Sequence, residues 1–436
     1  MTPSGAPSVA VSSETRCQGF PTDPCPASSA EAAARGQPSA CPCRPVPEPW
    51  LARTLRAADP SLGRFLDDAR ALRLQILITP VKAGQVLSAS YGFRVDAEYF
   101  YPASAIKTFL AVAALRAMSK RAGGEIPPMT RILRCLDNQP DCEPPEVDED
   151  KDEQPDASTP PEPPGPEGET RKKHRKLRVG EEIQKLLSYS DNDSYNRLFD
   201  IVGHRELNEQ ISELGYTTVR FHHRMDVPAE RSRRTLRVLL LPPGKRAIEI
   251  PARTSTFEPA PTPASELLLG SAYHDGKRLI EEPMSFARKN YVSLRELQRL
   301  NRALLFPELG EGPSLGLSER HRALIVGAMT AKLGSERRVA EHYPLSPGVL
   351  DVLPAERVRY VGKSGRAYGF HLDNAYIEDR ETGRAFFVTV TVYANPKGVL
   401  NTDDYGYDEI SRPLLRALGA ALGRKLLLEE PPPSEG

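Results

Sequence analysis

The sequence lacks a long hydrophobic run, and it lacks an excess of charge of either sign. No stretch of about 18 uninterrupted apolar residues occurs, which argues against a membrane-spanning helix. The 58 basic and 58 acidic residues give a formal net charge of zero, so the composition provides no general attraction to nucleic acid or anionic lipid. We therefore expect neither a transmembrane segment nor a nucleic-acid partner.

Cysteine is confined to the first third of the chain, and none follows Cys142. The six cysteines are Cys17, Cys25, Cys41, Cys43, Cys135 and Cys142. Their even number and loop-like surroundings favour disulfides in an oxidising compartment, where Cys135 and Cys142 would close a small local loop. Reduced thiols and a zinc site are the alternatives, but Cys41-Pro-Cys43 has a poor ligand spacing and no histidine cluster lies near it. We expect no metal and no cofactor.

The N-terminal region also lacks a recognisable export signal. Its first 45 residues or so show no basic segment followed by an apolar one. Cys17 is not preceded by the apolar run of a lipoprotein signal. The residues alone leave open a cytoplasmic location and an export signal outside this numbering.

Several segments are too polar or too rich in proline to pack. Hydrophobic residues make up 39% of the chain, and proline contributes 42 residues. We predict a disordered leader at 1–46, a disordered acidic and then basic insertion at 137–176, and a disordered tail at 426–436. A second insertion, basic and then proline-rich, is predicted at about 224–284 within a catalytic domain of 47–425. The charged insertion is interpreted as solvated, with a partner-binding segment as the alternative.

Hydrophobic periodicity elsewhere predicts a mixed α+β fold. Helices are predicted at 50–72, after Tyr101-Pro102, at 180–214, near 293–306 and 318–332, and at 407–422. Strands are predicted at 74–78, 86–93, 358–361, 370–378 and 385–393. Because strands at both chain ends enclose a helical block, we predict an α/β sandwich. Its antiparallel sheet would be built from both chain ends with flanking helices and a separate all-helical lobe.

Three short strings occur once each and in this order: Ser-x-x-Lys at 104–107, Ser-Asp-Asn at 190–192 and Lys-Ser-Gly at 363–365. The first places Ser104 and Lys107 on one face of the first turn of a predicted helix. A serine hydroxyl is a poor nucleophile and needs a base within hydrogen-bond reach. Lys107 serves as that base only as a neutral amine, so burial and nearby cations must lower its pKa.

The other two strings supply the remaining parts of an acyl-transfer site. Ser190 would relay a proton to the leaving group, and Asn192 would bind an amide of the substrate. Lys363 and Ser364 would hold a substrate carboxylate. The backbone N–H groups at the helix start and just after Gly365, at Arg366, would stabilise an oxyanion.

Each string also has an ordinary structural explanation. Ser104 with Lys107 alone is a common helix start, because Ser-x-x-Lys arises by chance once or twice in a chain of this length. Ser190 is suited to cap a helix N-terminus, and Lys363-Ser-Gly365 is suited to a turn at the end of a strand. All three together, each in the right order and element, are hard to assign to chance.

The wider context of these strings resembles the serine β-lactamase and penicillin-binding-protein superfamily, most closely class A β-lactamases. The resembling segments are Tyr101-Pro-Ala-Ser-Ala-Ile-Lys107, Tyr189-Ser-Asp-Asn-Asp-Ser-Tyr-Asn196, and Val361-Gly-Lys-Ser-Gly365 followed by Tyr368-Gly369. The resemblance covers roughly 48–218 and 285–425, and it implies a β-lactamase/transpeptidase-like fold.

The resemblance also implies roles for individual residues. Ser104 would be the acylated nucleophile and Lys107 its activating partner, with Asn196 bracing the loop that holds the deacylating group. It further implies Ser190 as proton relay, Asn192 as amide ligand, and Lys363 and Ser364 as carboxylate anchors. The expected partner is a small molecule, a β-lactam or a peptide-like carboxylate. The protein would be a monomer in the periplasm or secreted, and β-lactam hydrolysis would confer antibiotic resistance.

One departure from the family concerns the second half of the reaction. The family hydrolyses its acyl-enzyme with a glutamate in a Glu-x-x-Leu-Asn string, which does not occur here. Arg224-Met-Asp226 resembles the start of that loop, and Glu230 lies one residue out of register. Glu230 is therefore a candidate deacylation base, with an exposed loop carboxylate as the alternative. Two other functions stay open: a penicillin-binding or D-Ala-D-Ala peptidase-type relative with little turnover, and a non-catalytic scaffold that binds through its charged insertions.

Overall fold

The centre of the fold is an antiparallel sheet to which both ends of the chain contribute. The computed structural model describes residues 49–82, 85–86, 90–135, 177–309, 314–334 and 337–429. The strand order is Val358–Gly362, Phe370–Asp379, Ala385–Tyr393, Gln75–Lys82 and Gln85–Val86. Gly365–Ala367 also pairs with Phe370–Asp379, and Tyr91–Phe93 pairs with Gln75–Lys82. The predicted leader, the whole 137–176 insertion and the tail beyond 429 lie outside the described residues. The prediction of a disordered tail from 426 is wrong at its start, because Leu426 and Leu427 are buried in a π-helix, Gly423–Leu428.

Both faces of the sheet are covered, because successive apolar side chains along the central strands pack into two different cores. Ile76 and Ile78 belong to a core with Leu51 and Leu415, whereas Leu77 between them faces a second core. Neighbouring side chains of a strand point to opposite faces, so the Val-, Ile- and Phe-rich strands bury both of their sides. The structure is therefore a helix–sheet–helix sandwich of the α+β class, and the predicted fold class is confirmed.

The helices form the two outer layers and a separate lobe. The α-helices are Trp50–Ala58, Gly63–Asp67, Lys107–Ala122, Val179–Ser188, Asn192–Val202, His204–Glu213, Leu294–Leu305, Glu319–Met329, Arg337–His342, Ser346–Leu350 and Arg412–Leu422. Most side chains of Lys107–Ala122 are fully buried, which is typical of a helix at the centre of a lobe rather than on its surface. The helix ends at Gly123, whose φ of +65° suits glycine.

Several element boundaries differ from the predictions for physical reasons. The predicted helix at 50–72 stops at Ala58, because Asp59 and Pro60 start a separate turn. Ser104 lies on a 3₁₀-helix, Ala103–Ile106, and the α-helix begins only at Lys107. The last predicted helix is π-helical over Tyr407–Ser411 before it becomes regular. The two helices between 337 and 350 are too short to give a periodic signal.

The segment predicted as a second insertion contains strands. They are Arg234–Thr235, Arg237–Leu241, Ile248–Ile250, Arg253–Thr254, Leu268–Leu269, Ala272–Asp275, Arg278–Ile280 and Met284–Ser285. Arg237–Leu241 pairs with Arg131–Cys135 and Ile248–Ile250, and Leu177–Arg178 completes this four-stranded sheet. The buried run Val238-Leu-Leu240 carries the strand signal that the surrounding arginines obscured in the sequence.

Cys135 at the end of its strand is disulfide-bonded, so the disulfide prediction is confirmed for this residue. The other five cysteines, and with them the predicted pairing with Cys142, lie outside the described residues. Over the part of the chain that the structure describes, no helix has the length and apolar character needed to cross a bilayer.

Candidate active site

Ser104 lies where the helical lobe meets an edge of the sheet. Its 3₁₀-helix packs directly against the short strand Gly365–Ala367. A Cβ atom at Gly365 would lie 2.3 Å from the Pro102 oxygen and 3.0 Å from the Ser104 nitrogen. Only glycine allows this approach, so the third string brings the strand that contains Arg366 against the Ser104 backbone.

Lys107 is fully buried and its amine contacts the second string. Its Nζ donates hydrogen bonds to the Ser190 oxygen at 2.5 Å and to Asn192 Oδ1 at 2.5 Å, and it lies 3.4 Å from Ser190 Oγ. Burial lowers the pKa of Lys107 to about 7, although the charges of Asp191 and Asp226 oppose that shift. The amine is therefore neutral in a large share of molecules near neutral pH, as a base for Ser104 must be.

The Ser190 hydroxyl lies between two buried amines. Lys363 Nζ donates to Ser190 Oγ at 3.0 Å, and Lys107 Nζ approaches the same oxygen from the helical lobe. Burial, reinforced by the nearby charge of Lys107, holds the pKa of Lys363 well below its usual value. The capping explanation for Ser190 is wrong, because Asp191 is the cap and accepts a hydrogen bond from the Ser194 nitrogen at 2.8 Å.

Asn192 joins the amine to a carboxylate in the cleft. Its Oδ1 accepts from Lys107, and its Nδ2 donates to Asp226 Oδ2 at 2.5 Å. An amide nitrogen carries two hydrogens, so one N–H of Asn192 stays available for a substrate oxygen. Asn192 is the first residue of its helix, which fixes its side chain at the mouth of the cleft.

Asn196 and Arg224 fix the loop that presents Asp226. Asn196 Nδ2 donates to the Met225 oxygen at 2.8 Å, and Asn196 Oδ1 accepts from the Met225 nitrogen at 3.2 Å. Arg224 is buried, forms a salt bridge with Asp200 at 2.8 Å and donates to the Asn196 oxygen at 2.7 Å. Buried and paired groups of this kind hold a loop in one conformation.

Asp226 is the site residue that the sequence argument did not select. Both Asp226 and Glu230 are exposed, but Asp226 lines the cleft and contacts Asn192, whereas Glu230 lies on a 3₁₀-turn and is not among the cleft-lining residues. The string Arg224-Met-Asp226, which resembles the start of the family's loop, carries the sequence signal for this position. An aspartate in place of the expected glutamate hid the position.

The third string connects two strands at the sheet edge. Lys363 follows Val358–Gly362, its nitrogen donates to the Asn374 oxygen at 3.0 Å, and its Nζ donates to the Ser364 oxygen at 3.0 Å. Ser364 is buried, whereas Arg366 is exposed and lies over the Tyr407 ring at 5.4 Å.

A buried carboxylate lies on the neighbouring strand. Asp373 accepts hydrogen bonds from the Tyr360 hydroxyl and, at 3.3 Å, from the Leu345 nitrogen. Burial raises the pKa of Asp373 to about 7, and the charge of Lys363 is among the influences that oppose this rise. Lys363 therefore has a partly ionised counter-charge on its protein side.

An open cleft of about 1460 Å³ lies beside these residues. Ser104, Asn192, Asp226 and Arg366 all line it. No group of three or more His, Cys, Asp or Glu side chains within the described ranges is arranged to hold a metal ion. Lys107, Ser190, Lys363 and Ser364 are not among the lining residues, and the two buried amines contact the Ser190 hydroxyl beside the cleft. A hydroxyl and a carboxylate in the cleft next to two buried amines are suited to acyl transfer.

A serine three residues before a buried lysine, at the junction of a helical lobe and an antiparallel sheet, is typical of serine hydrolases of the β-lactamase/transpeptidase-like class. A sequence model of the Beta-lactamase enzyme family matches residues 162–424, more than half of the chain, and the protein belongs to this family. The match includes the second and third strings, while Ser104 and Lys107 precede it.

A comparison with solved structures matched β-lactamases from several bacteria. The enzyme from Desulfarculus baarsii is 16% identical, with 85% of this chain and 97% of that chain covered and a TM-score of 0.46. The enzyme from Streptomyces albus G is 15% identical, with 83% and 98% covered and a TM-score of 0.46. The enzyme from Burkholderia vietnamiensis is 14% identical, with 84% and 96% covered and a TM-score of 0.45. A search of the curated proteins found no match.

Proposed function

We propose that this protein hydrolyses β-lactams through an acyl-enzyme on Ser104. The observation that carries the proposal is the position of the Ser190 hydroxyl between Lys363 Nζ, at 3.0 Å, and Lys107 Nζ, at 3.4 Å. This arrangement provides a continuous path for a proton from the base side of the cleft to its substrate-anchoring side. A scaffold that only binds would have no need to bury two amines side by side.

Acylation begins when neutral Lys107 accepts the proton of the Ser104 hydroxyl. The Ser104 oxygen then attacks the lactam carbonyl carbon, and the carbonyl oxygen takes up negative charge. The backbone N–H groups of Ser104 and Arg366 are the donors proposed for this oxyanion. Collapse of the tetrahedral intermediate breaks the C–N bond, and the lactam nitrogen receives a proton through the Ser190 hydroxyl.

The substrate is held at two further points. Lys363 and Ser364 anchor the carboxylate on the leaving side of the scissile bond, where a cation and a hydroxyl give charge-assisted hydrogen bonds. The free N–H of Asn192 binds the amide oxygen of the acyl side chain. Gly365 keeps both anchors close to Ser104, because nothing larger fits between the strand and the serine turn.

Deacylation needs a base that activates water, and we assign this role to Asp226. The carboxylate lies in the cleft, it is tied to Asn192, and Asn196 and Arg224 fix its loop. Glu230, the candidate from the sequence, is exposed and is not among the cleft-lining residues. Water attacks the ester carbon as its proton passes to Asp226. Collapse of the tetrahedral intermediate then breaks the bond between the acyl carbon and the Ser104 oxygen, which takes up that proton, so the hydroxyl and the Asp226 carboxylate are both restored.

A second candidate function is acylation with little turnover, as in penicillin-binding proteins. One observation favours it: Asp226 Oδ2 is already engaged by Asn192 Nδ2 at 2.5 Å, and an aspartate reaches one methylene less far than a glutamate. In that case the acyl-enzyme would persist because no base reaches the attacking water.

Fluorescent penicillin and nitrocefin separate these functions. We expect covalent labelling of the wild-type protein, loss of the label in Ser104→Ala, and catalytic turnover of nitrocefin. A stable label without turnover would support the second candidate. Absence of both label and turnover in a folded wild-type protein would refute acyl-enzyme chemistry on β-lactams.

We further propose that the protein acts as a monomer on small molecules in an oxidising compartment, the periplasm or the exterior. The disulfide at Cys135 supports this location, because such bonds persist mainly outside the cytosol. Alkylation of free thiols in intact cells, followed by mass spectrometry of Cys135, tests the location. Sedimentation velocity tests the oligomeric state.

A further inference from the structure

The cleft extends well past the residues assigned to chemistry. Its far part is lined by His222, Arg233, Glu258 and Arg288, which we name the distal pocket. Hydrogen bonding to Arg233 lowers the pKa of Glu258, and the charges of Arg288 and His222 add to this effect, so the four groups lie near one another. No role in the acyl-transfer steps falls on any of them.

The distal pocket lies on the acyl side of the cleft. His222 is followed along the chain by His223, Arg224, Met225 and Asp226, all of which line the same cleft. Among the influences on the pKa of His223, which burial lowers to about 4, are the charges of Lys289 and Asp226. The pocket is therefore continuous with the side of the cleft that holds Asp226 and Asn192.

The cations of the cleft are unequally paired. Six line it, namely Arg224, Arg233, Arg288, Lys289, Arg366 and Arg412. Arg224, Arg233 and Arg412 form salt bridges with Asp200, Glu258 and Asp408, and Lys289 donates to the Tyr368 hydroxyl at 3.0 Å. Within the described part of the chain, Arg288 and Arg366 have neither a hydrogen bond nor a salt bridge. Arg366 belongs to the anchoring side of the cleft, and Arg288 belongs to the distal pocket.

His222 adds an unsatisfied polar group at the same place. Its side chain is 5% exposed, and neither ring nitrogen has a hydrogen-bond partner within the described residues. Burial lowers the pKa of His222 to about 4, so the ring is neutral at neutral pH and offers one N–H donor and one acceptor. Buried polar groups are normally paired, and a buried ring without a partner that lines a cleft points to a ligand.

The net charge of the distal pocket indicates which kind of ligand it would bind. Arg233 and Glu258 neutralise each other through two parallel hydrogen bonds, one of them 2.9 Å long. Arg288 then leaves the pocket with one net positive charge, next to the donor of His222. A guanidinium beside an N–H donor is suited to a carboxylate.

We propose that the distal pocket binds a second carboxylate, carried on the acyl side chain of the substrate, so that the preferred substrates are dianionic amides or β-lactams. This inference rests on the proposed acyl-enzyme chemistry at Ser104. Lys363 and Ser364 hold the first carboxylate on the leaving side, and Arg288 with His222 holds the second. Arg288 and His222 are thus specificity-determining residues of the same cleft.

Two cephalosporins that differ only in one terminal group provide the test. One carries a glutaryl side chain with a free carboxylate, and the other carries the matching terminal carboxamide. We expect the wild-type kcat/KM for the acid to exceed that for the amide by about tenfold, because one charge-assisted pair is gained. The ratio falls toward one in Arg288→Gln and is retained in Arg288→Lys.

A matched control is Arg320→Gln, which removes an exposed guanidinium that does not line the cleft. This variant keeps the wild-type ratio. A wild-type ratio near one would overturn the proposal, and so would a high ratio that survives in Arg288→Gln.

Equilibrium binding separates a failure of the pocket from a failure of the chemistry. Calorimetry with Ser104→Ala measures the affinity for the glutaryl and carboxamide compounds without any bond being formed. Tighter binding of the acid that is lost on adding Arg288→Gln supports the pocket even if the wild-type protein shows no turnover. Equal affinities for the two compounds overturn it, whatever the outcome of the labelling experiment at Ser104.

Discussion

Lys363 Nζ lies 3.0 Å from Ser190 Oγ, although 173 residues separate the two in sequence. Ser190 belongs to the helical lobe and Lys363 to an edge of the sheet, so this hydrogen bond crosses the cleft that contains Ser104. Both side chains are also within reach of Lys107, whose Nζ is 3.4 Å from the same hydroxyl. The junction of sheet and lobe is therefore itself part of the proton path.

Removing this hydroxyl should slow acylation more than it disturbs the fold. We expect Ser190→Ala to lower the acylation rate constant with nitrocefin by about 100-fold, because proton transfer by a positioned group contributes a factor of this order. Stopped-flow absorbance measures the rate. Ser212→Ala, at an exposed position of the neighbouring helix, should leave the rate unchanged. A rate within about twofold of wild type would show that Ser190 carries no proton.

The pH dependence of acylation should follow the Lys107 amine. Its pKa is lowered to about 7, and only the neutral form accepts a proton, so the active fraction rises as pH increases through that value. Below it, we expect the acylation rate to fall about tenfold per pH unit. Labelling with fluorescent penicillin across the range measures this limb.

Two variants show whether the increase of the acylation rate with pH is due to titration of Lys107. Lys107→Ala should lose most of the acylation rate, and the remaining rate should no longer rise with pH through 7. Lys120→Ala, an exposed lysine near the end of the same helix, should keep both the rate and its rise with pH. A flat profile through pH 7 in the wild-type protein would contradict the assignment of Lys107 as base.

Asp226 and Glu230 can be separated by which variant accumulates acyl-enzyme. We expect Asp226→Asn to lower the deacylation rate constant by about 100-fold, because the base is lost while the amide keeps the contact with Asn192. Glu230→Gln should deacylate at the wild-type rate, since Glu230 does not line the cleft. Intact-protein mass spectrometry after brief exposure to penicillin measures the acylated fraction. Accumulation in Glu230→Gln alone would restore the interpretation first drawn from the sequence.

Gly365 tests how closely the sheet must approach the nucleophile. A Cβ at this position would lie 2.3 Å from the Pro102 oxygen, so Gly365→Ala must push the strand or the Ser104 turn away. A displacement of about 1 Å at a reacting group can cost about 100-fold in rate, and we expect that loss in kcat/KM. The free energy of unfolding should fall by about 1 to 3 kcal/mol.

Gly327 is the matched control for that change. It lies inside the helix Glu319–Met329, and a Cβ there would meet nothing within 4 Å. Gly327→Ala should leave kcat/KM unchanged and raise the free energy of unfolding by about 0.5 to 1 kcal/mol. Equal effects of the two substitutions would show that the close approach at Gly365 is unimportant.

The fold can be predicted from the sequence where the pattern of apolar residues along an element matches the side chains that the element buries. The prediction of the strand Ala385–Tyr393 is correct to the residue, because the unbroken run of Phe, Val and Thr between Ala385 and Tyr393 suits a fully covered strand. The strand Arg237–Leu241 was missed, since arginines before and after it suggested an unpacked insertion. Its apolar run, Val238 to Leu241, is only four residues long, and its pairing with Arg131–Cys135 depends on a partner about a hundred residues away.

The candidate site shows the same limit at the level of single residues. Ser104, Ser190 and Lys363 were found because their strings are rare and ordered, and the family match includes the last two. Asp226 was passed over because a chemical type, glutamate, was sought rather than a position. Only the contact with Asn192 identifies it, and that contact depends on the loop geometry set by Asn196 and Arg224.

Left-handed backbone is concentrated around the cleft, and this has an evolutionary consequence. Residues with φ between +45° and +56° include Ala103, Ser190, Asp226, Tyr368 and Asn401. Each such conformation costs about 1 kcal/mol for a residue with a side chain, and glycine relieves it. Variants selected only for heat resistance would gain most by replacing these residues, and would lose the cleft in doing so. Variants selected to keep activity on a substrate would have to gain thermal stability through substitutions outside the cleft.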